Sequence, residues 1–166
     1  MSDWDVSDIT SMRELFGGWQ RERPHFNEDL SRWNVSRVTD MFRTFYGARA
    51  FTGAGIGCWD MSSVTNMSFM LYGATAFNAP IGDWDVSSVT LMQYTLYGAT
   101  AFNAPIGDWD VSSVMYMTCM LEGATSFNQR LGGQWATSTA DKGSMFRDGC
   151  PGSIEGKTNN AWGDPE

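Results

Sequence analysis

The sequence predicts an α/β solenoid of about six turns, each of roughly 25 residues, with short parallel strands on one side and short helices on the other. Three observations lead there. Tryptophans recur at positions 4, 33, 59, 84, 109 and 135, separated by 29, 26, 25, 25 and 26 residues. The units that begin at Trp84 and Trp109, WDVSSVTLMQYTLYGATAFNAPIGD and WDVSSVMYMTCMLEGATSFNQRLGG, agree at more than half of their positions. Within each unit the apolar spacing changes from two to three or four residues, as it does where a strand hands over to a helix.

The strand is read from Asp83-Trp84-Asp85-Val86, which alternates polar and apolar. Val89, Met92, Thr95 and Leu96 follow at i, i+3, i+6 and i+7, as Val64, Met67, Met70 and Leu71 do one turn earlier. That spacing predicts one stripe of a short helix. Asp85 or Ser87 stands where an N-cap belongs, and Gly98 stands where a positive-φ glycine would end the helix. Phe102 and Ile106 return the chain to the next strand. The first unit fits the frame with an insertion, GWQRERPHFN in place of GATAFN, and the last keeps only Trp135 and the Met145-Phe146 pair. The solenoid is therefore expected over 1–150, its turns starting near the six tryptophans, with an irregular C-terminal tail over 151–166.

The frame W-D-V-S-x-V-T-x-M-x-x-M-F/L-Y-G-A-x-x-F-N-x-x-I resembles the BspA-like leucine-rich-repeat family of surface proteins over roughly residues 1–150. The resemblance implies a leucine-rich-repeat-like fold and a role in adhesion or protein binding. It also implies a surface location of the kind held by bacterial lipoproteins of that family, and it carries no catalytic residues across.

Charge narrows the partners. Eleven Lys and Arg against 19 Asp and Glu give a net charge of −8, which disfavours nucleic acid, where phosphate neutralisation dominates affinity, and anionic membrane surfaces alike. No apolar run reaches the ~18 residues of a transmembrane helix. The start, MSDWDVSDIT, lacks a basic-then-apolar signal pattern, so the chain is expected either not to be exported or to have lost a targeting segment. Cys58, Cys119 and Cys150 are odd in number and share no metal-ligand spacing. They read as single thiols, with a Cys119–Cys150 bridge as the alternative.

Catalysis has little to stand on. The single histidine, His25, lies in the first unit's insertion, and no Ser or Cys has a base partner at a recurring position. The acidic column is more specific. If Trp84 and Val86 face inward, then Asp83 and Asp85 face outward, with Asp108 and Asp110 in the same register one turn on. Stacked strands lie ~4.8 Å apart, so these carboxylates need compensation. Either the Asp85 equivalents bend back to cap the chain, which is favoured, or the four hold Ca²⁺ through hard oxygen ligands. Asn27, Asn78, Asn103 and Asn128, each following a Phe, predict an inward ladder of side chains closing backbone hydrogen bonds between turns.

The outer helix face carries the functional expectation. With Val64, Met67, Met70 and Leu71 inward, Phe69 and Tyr72 point outward, as do Leu91, Tyr94 and Tyr97 one turn on and Tyr116 beyond. Exposed aromatic patches mark interaction surfaces. With Trp162 in the tail, these residues are the candidate partner-binding set. The leading expectation is a non-enzymatic protein–protein interaction module, without cofactor. It would dock through this convex face on a larger assembly as an accessory subunit, for instance of a membrane complex in an organelle. The rival is a surface adhesin using the acidic concave face, with Ca²⁺ as its ion.

Overall fold

The computed structural model describes residues 4–17 and 23–156. Successive units lie edge to edge through one-residue parallel bridges that run Ser11–Asp40–Asn66–Leu91–Tyr116–Asp141. Past each bridge, alternate N–H groups all donate to the following unit. The N–H groups of Met67, Phe69, Leu71 and Gly73 donate to the carbonyls of Leu91, Gln93, Thr95 and Tyr97. Those of Met92, Tyr94, Leu96 and Gly98 donate in turn to Tyr116, Thr118, Met120 and Glu122. A threonine column supports the ladder: Thr39, Thr65 and Thr90 each send both N–H and Oγ1 to the carbonyl of the preceding threonine, beginning at Thr10.

The expected division of each unit into a strand and a helix is corrected. Among the described residues the regular elements are strand β1 (Arg130–Leu131), helix α1 (Gln134–Thr137), strand β2 (Ser153–Ile154) and a 3-10 turn at Ile56–Cys58. The segment read as a helix, from Val89 to Leu96, instead carries the ladder and closes on itself through successive turns. Thr95 N–H donates to Met92 O, Tyr97 to Tyr94 and Ala99 to Leu96. Each such turn returns the chain to the core after three residues, which reproduces the i, i+3 spacing of a helical stripe without its i→i−4 bonds. The segment read as a strand is a turn held by Asp85, whose Oδ1 accepts the N–H (3.0 Å) and hydroxyl (2.6 Å) of Ser87.

Gly98 does have positive φ (64°), and Gly73 and Gly123 match it at 66° and 72°. They end turns of the ladder rather than helices. Four residues before each glycine, a residue with a side chain adopts the same left-handed conformation: Phe69 at 59°, Tyr94 at 56° and Cys119 at 55°. Such a conformation costs on the order of 1 kcal/mol or more for a non-glycine residue. Ladder bonds on both sides of the residue hold it there.

Inside, side chains form columns with one member per unit. Trp33, Trp59, Trp84, Trp109 and Trp135 are all buried, and the indole N–H of each from Trp59 onward donates to a carbonyl of the unit before: Leu30, Ile56, Ile81 and Ile106 respectively, at 3.0–3.2 Å. Phe77, Phe102 and Phe127 stack at 5.8 Å between centroids. Met12, Met41, Met67, Met92 and Met117 line the ladder side of the core, and Lys142 takes the methionine position in the last unit. Its Nζ reaches the carbonyls of Ser138 (2.6 Å) and Ala140 (3.4 Å). The tail boundary moves: β2, placed in the irregular tail by sequence, pairs in parallel with β1, Arg130 against Ser153 and Leu131 against Ile154. Cys58, Cys119 and Cys150 are all free thiols.

Candidate functional site

The outward-facing aromatics belong to the ladder, not to a helix. Two columns run side by side. Tyr46, Tyr72 and Tyr97 stack face to face, at 4.7 Å and 8° and then at 4.6 Å and 3°. Beside them Phe69 stacks on Tyr94 at 4.7 Å and 11° and meets Phe42 edge-on at 5.7 Å. The columns touch through Phe69–Tyr72, Tyr72–Tyr94 and Tyr94–Tyr97. Phe69, Tyr72, Leu91, Tyr94 and Tyr97 are half-buried, and Tyr116 is exposed at 46%. Stacking consumes the ring faces, so the surface shows their rims. Trp162 lies outside the described residues.

Sequence reading missed Phe42, Arg43 and Arg13, which complete this surface, and Tyr46, which is buried at the end of its column. The Arg43 guanidinium lies over Phe42 (4.7 Å), Phe69 (5.2 Å) and Tyr46 (5.5 Å) and pairs with Glu14 at 3.4 Å; Arg13 covers Phe42 at 4.0 Å. Tyr46 was legible by register, since it precedes Tyr72 by one unit. Arg43 was not, because its position holds Glu14, Phe69, Tyr94, Cys119 and Ser144 elsewhere and shares with them only a positive φ.

Burial raises the pKa values of Tyr72 and Tyr97, and a hydrogen bond with Cys119 raises that of Tyr94. Burial, followed by the hydrogen bond to Glu122, pushes Cys119 up to about 11, so its thiol is unreactive at neutral pH. Above the ordinary tyrosine value of 10.0 the unfolded chain loses protons that the folded chain still holds. Stability is therefore expected to be intact below pH 10 and to fall as pH rises through the folded values. Tyrosinate absorbance at 295 nm, followed with and without denaturant, checks this: the folded curve should lie to the alkaline side. Coincident curves would show these rings to be solvated.

On the acidic side, Asp83, Asp85 and Asp108 are exposed and Asp110 is half-exposed. Asp85 and Asp110 turn Oδ1 back onto Ser87 and Ser112, as Asp60 does onto Ser62, and these bonds hold all three carboxyls below the usual range. They cap their own turns. Among the described residues no group of three or more His, Cys, Asp or Glu side chains is placed to hold a metal ion. The asparagine ladder is present but lies at the surface, not inward: Asn78 Oδ1 accepts the N–H of Asn103 (2.9 Å), and Asn103 Oδ1 accepts that of Asn128 (3.2 Å). His25 is exposed. No helix of the described residues is long and apolar enough to cross a membrane.

The geometry defines a protein of repeated units hydrogen-bonded edge to edge, with an aromatic face along one side of the ladder. The chain belongs to the family described as "Mycoplasma protein of unknown function, DUF285", whose model matches residues 1–57 and 52–155. No curated protein matches it significantly, and neither does any solved structure.

Proposed function

We propose that the units wind as a leucine-rich-repeat-like solenoid and that the chain is a non-enzymatic interaction module. It docks on a larger protein assembly through the face built by Phe42, Phe69, Tyr72, Tyr94 and Tyr97. The observation that carries this is the paired aromatic column on a surface that water would ordinarily line with charge. Tyrosine and arginine, here Tyr94 and Tyr97 with Arg13 at the edge of the face, are among the residue types that dominate interface hot spots. The BspA-like frame supports the same reading and favours a partner met at a cell surface; a fixed place in a membrane complex of an organelle is the alternative setting. The adhesin reading through Ca²⁺ is weaker, because two of the four aspartates that would hold the ion, Asp85 and Asp110, are already engaged by serines.

The test is Tyr94→Ala combined with Tyr97→Ala. These rings are half-buried, so removing their stacks should cost ~1–3 kcal/mol together and leave the circular dichroism spectrum unchanged. In extracts of the source cells, the wild-type chain should elute with a larger assembly and the double variant as a free subunit. Co-elution of the folded double variant with the assembly would place the interface elsewhere.

A further inference from the structure

The core of this chain is rich in methionine, and one methionine stands outside it. Among the described residues every methionine from Met12 to Met145 other than Met115 is at most 1% exposed, whereas Met115 is 54% exposed. Met1 lies outside the described residues.

Met115 takes the position of Thr39, Thr65 and Thr90 in the threonine column. Each of those three sends its hydroxyl to the carbonyl of the preceding threonine. Met115 keeps only the backbone bonds, donating its N–H to Thr90 O at 2.9 Å and accepting the N–H of Asp141 at 3.0 Å. A thioether has no proton to give, so this side chain adds no bond to the ladder. It stands next to Tyr116, itself 46% exposed. With Ser112, Ser113 and Thr139 the two line an open groove of about 480 Å³, many times the ~30 Å³ share of a water-sized molecule. A small oxidant therefore has access to Met115, on a backbone held from both sides, and has none to the methionines of the core.

We propose that Met115 is a reversible oxidation site whose reaction spares the core. A sulfur lone pair takes one oxygen from hydrogen peroxide and the O–O bond breaks. The sulfur loses two electrons to the peroxide, and the second oxygen leaves as water, taking the proton that the first carried. Methionine sulfoxide reductases restore the thioether with two electrons from thiols, and the oxygen departs as water. A sulfoxide oxygen only accepts hydrogen bonds, so it makes none to the Thr90 carbonyl, and the main-chain bonds of the ladder are untouched. The change is confined to the surface, where an apolar side chain becomes polar beside Tyr116 and its bridge partner Leu91. At Met117 or Met120 the same oxygen would be buried among apolar side chains, where an unpaired polar atom is destabilising.

The full chain is treated with hydrogen peroxide under native conditions, quenched at intervals and digested, and sulfoxide at each methionine is followed by mass spectrometry. Met115 should oxidise at least about tenfold faster than any other methionine between Met12 and Met145. Its oxidation should leave the melting curve unchanged, and reductases for the two sulfoxide epimers should return the peptide to its unmodified mass. Met115→Leu should remove the fast phase and leave the slow ones as they were. In the source cells, peroxide exposure should raise the sulfoxide fraction at Met115, and removal of the oxidant should lower it. Comparable rates at Met117 or Met120 would overturn the proposal, since the core would then be open to oxidant. So would a melting temperature that falls once Met115 alone is oxidised, or a chain from peroxide-treated cells that carries no sulfoxide at Met115.

Discussion

Trp84→Ala is expected to cost about 3–5 kcal/mol, the range for removing a large aromatic from a packed core. The ring is 3% exposed, stacks on Trp109 and donates its N–H to Ile56 O at 3.0 Å. Alanine leaves a cavity between two units and takes one donor from a buried carbonyl, so transfer, cavity and hydrogen-bond costs add. For a chain of this size the melting temperature should fall by roughly 6–20 °C. Calorimetry on the purified variant checks it. A drop of only a degree or two would mean that the column closes over the gap and that the units are not held by their tryptophans.

Gly55→Ala should lose about 2–4 kcal/mol, although it adds a single methyl group. Gly55 has φ 82°, a left-handed conformation that alanine adopts only under strain, and an added Cβ would collide with the backbone nitrogen of Ser31 and with the Asp29 carboxylate. Neither can retreat cheaply: Ser31 N–H is bound to Asp29 Oδ1 at 2.9 Å, and neighbouring Leu30 N–H donates to Ala54 O. Gly107→Ala is the control, since a Cβ there meets nothing within 4 Å; it should shift the denaturation midpoint by little. Equal effects from the two would remove the steric account. The Trp84 and Gly55 changes share Ile56, so the double variant should be less destabilised than the sum.

The repeat was legible because most units place their large residues alike: the tryptophan, the methionine and the phenylalanine recur at nearly fixed offsets and, Trp4 apart, prove buried. The candidate face was legible in part. Tyr72, Tyr94 and Tyr97 stood out as aromatics where the apolar spacing left an outward position, and they do face out. Their partner Arg43 did not stand out, because a guanidinium stacked on three rings leaves no pattern in a one-dimensional string. The helix was misread for a definite reason. Turns closing after three residues and helical turns impose nearly the same spacing on inward residues, and apolar periodicity records only which residues face inward.

The sequence by itself determined the number of units, their registration and the inward set, because burial acts on side chains one at a time and leaves its mark at each position. It also determined that Gly98 needs positive φ. Only the tertiary structure decided which backbone groups pair. The bonds of Met92, Tyr94 and Leu96 go to a neighbouring unit about 25 residues away rather than to their own next turn. It likewise decided that Asp85 caps a turn and that the ring faces are used up by stacking. These outcomes depend on what lies across the gap between units, and local residue preference carries no record of that.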